Sequence, residues 1–209
     1  MCEALTGPPK KTFAVMLMLI ATVSACTSSK RKEEGVAALR NSYAPVQDMG
    51  IVISAGGINL FQYSQRVTDA LLKFKNSEDG CKQAATKFSE PGKKALAAEV
   101  CRHLGVAMGS YVLAKEYFGP KYNEVYDEER DWLGHDEYAR IKEGLPGLED
   151  LSPVPSSSSG TDVPGPYSEY YSGHVYKAYY RDDLVKALWR LADRECQTAK
   201  AQIDQLDQM

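Results

Sequence analysis

Histidine and tryptophan are scarce in this chain, three and two residues among 209. His103, His135 and His174 are scattered, and no His-Glu-x-x-His run sets up a zinc hydrolase. Strand signals are nearly absent as well. No run of alternating β-branched residues is bounded by hairpin turns, so a phosphate loop following a strand has no place to form. Ser110 and Ser168 lack the strand–turn–helix context of a nucleophile elbow. Basic excess is missing too: 25 basic against 28 acidic residues give a formal net charge of −3, which sets nucleic-acid binding aside. No internal repeat suggests a solenoid. No cysteine pair has the spacing of a zinc or haem motif, and no cofactor is expected.

What is present is helical periodicity. Hydrophobic content of 44% and charge of 25% suit a globular chain with one core. Val46, Met49, Ile53, Gly57, Leu60, Ser64, Val67, Leu71 and Phe74 recur at steps of three and four, which predicts one helix of about 30 residues. A shorter helix is expected before it, over 31–41, closed by Asn41, Ser42 and Pro45. Around 51–61 the apolar character spreads round the helix, and Gly50, Gly56 and Gly57 fall in the same place. Glycine weakens a helix, so the three predict close backbone packing, with a hinge or ligand slot as the alternative. A break is expected at Asn76–Gly80. Leu96, Val100, Leu104, Ala107, Tyr111, Ala114 and Phe118 mark a helix over 91–118, ended by Gly119-Pro120. Residues 121–142 are helical in propensity, with Gly134 as a kink. Residues 144–166, rich in Pro, Ser and Gly, read as a flexible linker or surface loop. Helix resumes over 167–207, bending near Gly173, with Val185, Leu188, Ala192, Cys196, Ala199, Ile203 and Leu206 as its stripe. Stripes of this length must bury against one another, and the expected fold is an all-α antiparallel helical bundle.

The N-terminus has a different logic. Lys10 and Lys11 precede the apolar run from Phe13 to Val23, and small residues follow, the layout of a secretory signal. The run is too short for a permanent bilayer span, which needs about 20 apolar residues. Val23-Ser24-Ala25-Cys26 resembles the lipobox of bacterial lipoproteins, with Val where leucine is commoner. The resemblance covers only the signal. It implies a signal peptide over 1–25, cleavage before Cys26, and membrane lipid attached to that cysteine. Thr27 follows where Asp would retain a lipoprotein at the inner membrane, so the resemblance implies the outer membrane, facing the periplasm. Residues 26–32 make a short tether with Lys30, Arg31 and Lys32, and 33–209 form the helical domain. Those cations can meet lipid phosphates or simply open a solvated helix.

An exported domain meets oxidising conditions, so a disulfide is expected among Cys81, Cys101 and Cys196. Cys81 and Cys101 lie ten residues either side of Pro91, where helices leaving a turn would bring them together. That pair is the first choice and Cys101–Cys196 the second. The thiol left over is expected to act as a buried small hydrophobe.

Three candidate sites stand out. Tyrosine is abundant, 13 residues. Tyr167, Tyr170, Tyr171, Tyr176, Tyr179 and Tyr180 cluster after the linker, while Tyr117, Tyr122, Tyr126 and Tyr138 cluster before it. Side by side, these rings would line a groove for a glycan strand, a peptide or a partner helix, or else pack between helices with hydroxyls at the rim. Asp127, Asp131 and His135 are spaced four apart and on one helix would share a face, as a metal site or hydrolase carboxylates require; the plainer reading is a solvated face balanced by Arg130 and Arg140. His103 lies beside an apolar stripe, as a satisfied core histidine does. The leading expectation is a non-enzymatic assembly, adaptor or scaffold lipoprotein with a protein partner in the cell envelope. Behind it come a small-ligand or cell-wall-binding module using the tyrosine groove, and then a hydrolase or metal protein.

Overall fold

A computed structural model describes residues 10–118, 121–123, 128–130, 132–153 and 178–209. Along the described chain come helices α1 (Lys10–Ser54), α2 (Leu60–Lys87) and α3 (Pro91–Tyr117). Short strands β1 (Lys121–Asn123), β2 (Glu128–Arg130) and β3 (Trp132–Gly134) follow, then helix α4 (His135–Gly144), strand β4 (Ala178–Tyr180) and helix α5 (Arg181–Gln208). The fold is an all-α antiparallel bundle of α1, α2, α3 and α5, in which α3 packs on α5 and on α2, and α1 on α2 and α5.

Pairs of side chains show the antiparallel sense. Between α1 and α2, Lys87 meets Glu34 at one end and Ser42 Oγ donates to the Ser77 carbonyl further along. Between α3 and α5, Lys93 reaches the Met209 carbonyl, His103 meets Glu195, and Arg181 donates to the Glu116 carbonyl. One end of the bundle, the base, therefore holds the α2–α3 turn and the C-terminus, beside Lys32 and Glu34 of α1. The other end, the tip, holds the α1–α2 turn.

The apolar stripes explain the core. Val100, Leu104, Ala107, Tyr111 and Ala114 of α3 are buried, and so are Val185, Leu188, Ala192, Cys196, Ala199, Ile203 and Leu206 of α5. Pro91 opens α3 at its first position, where a missing N–H costs nothing. Cys81 and Cys101 form a disulfide with Cα atoms 5.9 Å apart, and Cys196 is a free, buried cysteine.

Several expectations fail for physical reasons. The stretch 46–74 is not one helix. Gly56 and Gly57 take φ of 71° and 69°, end α1 and reverse the chain, and Asn59 starts α2 with a capping box to Gln62. No neighbour lies within 4 Å of where their Cβ atoms would stand, so these two glycines serve the turn, not close packing; Gly50 alone sits against Tyr111 Oη, 3.3 Å from its would-be Cβ. Asn41, Ser42 and Pro45 do not end a helix, because buried Val46 and Met49 beyond them hold α1 in the bundle. Nor does 76–80 break α2, since Ser77 is bonded to Phe74 and Ser42, and Cys81 is tied to Cys101. Residues 121–134 supply β1, β2 and β3 where helix was expected, and residues 178–180 form β4, so helix resumes only at Arg181. The start of the expected flexible linker is held down: Leu148 is buried, and Arg194 donates to the Gly147 carbonyl. Its remainder, with Gly173, lies outside the described residues.

Candidate functional site

The tyrosine-rich stretches do meet. β3 and β4 pair antiparallel with Trp132 opposite Tyr180 and Gly134 opposite Ala178, which brings residues before the loop against residues after it. Tyr138 and Tyr179 stack in tilted contact, centroids 4.3 Å apart, and both are buried. The Tyr138 hydroxyl donates to the Glu149 carbonyl and accepts from the Leu151 N–H. Tyr179 lies near His135, with its hydroxyl 3.3 Å from Nδ1. These rings are packing elements with satisfied hydroxyls, the second of the two readings above. Tyr180 is exposed. Tyr167, Tyr170, Tyr171 and Tyr176 lie outside the described residues, as do Tyr126, His174, Asp127 and Asp131.

Beside this ladder sits a polar knot. The Tyr117 hydroxyl donates to Glu137 Oε1 at 2.7 Å, and the Arg181 guanidinium lies 5.0 Å from the Tyr117 ring centroid while donating to the Glu116 carbonyl. Burial, with the Glu137 carboxylate beside it, pushes the Tyr117 hydroxyl up to about 12. Burial lowers the Arg181 pKa, an effect opposed by Glu137. The knot ties the N-terminus of α5 to the C-terminus of α3, and the buried Arg181 Nε has no hydrogen-bond partner among the described residues. Glu128–Arg130 and Trp132–Gly134 are strands and α4 begins only at His135; Asp127 and Asp131, the other two members of the expected helix face, lie outside the described residues. Among the described residues no three His, Cys, Asp or Glu side chains gather as metal ligands. His103 is half-buried against Glu195, as expected of a satisfied histidine.

The tip presents a different surface. Phe61, Ile51 and Leu60 are exposed by 77%, 60% and 47% around the Gly56-Gly57 turn. Such side chains normally lie inside, and a cluster of them on a surface marks an interaction site. Between the end of α1 and the first turns of α2 lies a cleft of about 550 Å³ lined by Val52, Gly56, Gly57, Ile58, Gln62, Gln65, Arg66 and Asp69. Val52 and Ile58 are its half-buried apolar walls. Arg66 and Asp69, one turn apart, make no ion pair or hydrogen bond among the described residues. Beneath the tip, buried Tyr63 donates to the Tyr111 carbonyl and accepts from Trp189 Nε1, both at 2.9 Å, and its ring packs on Phe118 and Trp189. This anchor fixes the first turn of α2 and hence the rim of the cleft. The sequence offered a hinge or ligand slot here as the alternative to close packing, on the apolar spread over 51–61 and the Gly-Gly pair, and the turn and cleft at Gly56 and Gly57 agree with that alternative.

The fold and the tip together define a helical-bundle protein with one apolar, clefted end. Compared with protein families, curated proteins and solved structures, the chain matches none. Cys26 falls within α1, and its side chain lies outside the described set. Among the described residues no helix is long and apolar enough to cross a membrane.

Proposed function

We propose that the chain is a membrane-anchored envelope lipoprotein whose helical bundle is a non-enzymatic partner-binding module, held by lipid on Cys26 at the outer membrane and facing the periplasm. The observation that carries the reading is the grouping of exposed Ile51, Leu60 and Phe61 at one end of the bundle. An apolar end of this kind is retained where a protein surface covers it. The anchor supports the same arrangement. Cys26 and Ser54 are 28 residues apart on α1, a rise of about 42 Å. Lipid at Cys26 would place the base near the membrane and present the tip away from it. Several acyl chains on one residue hold a protein stably, at about 0.8 kcal/mol per buried methylene.

Two experiments test the reading. A photo-cross-linking amino acid at position 61 in cells should capture a protein, and the same probe at exposed Lys186 on α5 should not. Equal, indiscriminate capture at both positions would refute the tip as the binding surface. Metabolic labelling with an alkyne-tagged fatty acid should mark the chain and fail on Cys26→Ser; persistent labelling would refute the anchor.

A further inference from the structure

The tip contains more than apolar area. It carries a projecting ring, Phe61, directly beside a cleft walled by Val52 and Ile58. It also carries one unpaired cation, Arg66, and one unpaired carboxylate, Asp69, on the same rim. An interface about a twofold axis uses one patch twice, so that patch must complement itself: a knob needs a hole, and a charge needs its opposite, within the same surface. Few partners other than the chain itself require both halves of each pair in one place. A nucleic acid or an anionic lipid surface would meet Asp69, with Asp48 on the last turns of α1, as repulsion.

We propose that the tip is covered by a second copy of this chain, docked about a twofold axis, with Phe61 of each copy seated in the cleft of the other and Arg66 of each facing Asp69 of the other. This deepens the partner-binding reading and rests on it, since it names the partner of the same surface. Gly56 and Gly57 keep the cleft floor free of side chains, and nothing lies within 4 Å of either would-be Cβ. Leu60 and Ile51 then form the apolar rim that excludes water from the Arg66–Asp69 contacts.

The test is sedimentation velocity on the full lipidated chain in detergent micelles, with micelles in excess, across a hundredfold range of concentration. The wild-type chain should pass from monomer to dimer. Phe61→Asp should weaken association by at least about 30-fold, the loss typical of a central aromatic anchor. Arg66→Asp and Asp69→Arg should each weaken it by like-charge contact. Mixed in equal amounts, these two variants should associate more tightly than either alone, since every Asp then faces an Arg. All three substituted side chains are exposed, so the variants should melt as the wild type does. A wild type that stays monomeric, or charge variants that do not rescue one another on mixing, overturns the proposal. If the chain is monomeric while a probe at position 61 captures another envelope protein, self-association fails and the partner-binding reading survives. Monomer without capture refutes both.

Discussion

Tyr63→Phe removes a single oxygen from the middle of the bundle while keeping the ring. The ring contacts with Phe118 and Trp189, at centroid distances of 5.2 and 5.4 Å, therefore survive, and no cavity opens. What disappears is one donor to the Tyr111 carbonyl and one acceptor for the Trp189 indole, each at 2.9 Å. Each bond is worth about 0.5–1.5 kcal/mol net, and a stranded buried polar group costs about 1–3 kcal/mol. Trp189 is half-buried, so water recovers part of its loss and the total should be about 2 kcal/mol. Urea unfolding followed by far-ultraviolet circular dichroism measures it without relying on Trp189 emission, which the substitution itself alters. A double-mutant cycle with Trp189→Phe isolates the pair and should give a coupling of about 1 kcal/mol. A Tyr63→Phe midpoint shift equivalent to less than about 0.5 kcal/mol, or zero coupling, would refute the view that this hydroxyl pins α2 to α3 and α5.

Reduction of Cys81–Cys101, or Cys81→Ala with Cys101→Ala, should cost about 3 kcal/mol for a crosslink spanning 20 residues, seen as a lower urea midpoint with dithiothreitol. Gly35→Ala should destabilise by about 1–3 kcal/mol, because its Cβ would stand 3.0 Å from Phe88 Cε2 and 3.1 Å from Lys87 Cβ; thermal melts would check it, and an unchanged melt would show that α1 can shift there. Burial pushes the Cys196 thiol up from 9.0 to about 11, and the Tyr43 hydroxyl from 10.0 to about 12. The folded chain thus holds both protons more tightly than the unfolded chain. The stability they contribute is complete below pH 9 and drains away as the pH climbs through 11 and 12. Urea midpoints should be flat up to about pH 9 and then fall. At pH 8 the native chain should leave Cys196 unmodified by a thiol reagent that labels it once urea is added, and rapid native labelling would show that the thiol is not buried.

The two later helices were readable because each carries one unbroken apolar stripe from cap to cap. Every residue expected on the α5 stripe from Val185 to Leu206 is buried. The disulfide was readable for a related reason: a turn at Pro91 makes residues equidistant from it neighbours in an antiparallel pair. The earlier stretch misled because a chain reversal resets helical phase. Continuing the 46–57 pattern past Gly57 picks Ser64 and Leu71 for the core. Over this stretch of α2 Val67 and Phe74 are buried as expected, but Tyr63 and Ala70, one position earlier, take the places of Ser64 and Leu71. With the face turned, Leu60 and Phe61 point outward, so one missed turn hid both the Tyr63 anchor and the exposed tip. The strands were invisible for another reason. β3 is held by pairing with residues 178–180, more than forty positions away, and three-residue strands have no periodicity of their own. The meeting of Tyr138 with Tyr179 depends on that same long-range pairing, so the sequence shows two tyrosine clusters but not which rings touch.

The ties that hold the bundle are unevenly spread along it, and the spread bears on what the tip can do. At the base, Lys87 pairs with Glu34, Lys32 and Arg40 reach Asp207, and Lys93 reaches Met209, with the disulfide nearby. In the upper bundle the Tyr63–Phe118–Trp189 cluster takes over. At the α1–α2 turn itself the ties among the described residues are local: the Gly56 N–H donates to the Ile53 carbonyl, the Asn59–Gln62 capping box opens α2, and no neighbour stands within 4 Å of a would-be Cβ at Gly56 or Gly57. Local opening should therefore be easiest at 54–60 and hardest around Cys81 and Cys101, an order that amide exchange would read directly. A loosely held turn bearing exposed Phe61 and Ile51 is poorly explained as core, since it buries little, and poorly explained as spacer, since polar residues would serve better. It is well explained as a surface whose ordering is completed by contact. The Tyr63 anchor, directly beneath it, would let α2 accept a docked ring without disturbing the helices that carry the rest of the fold.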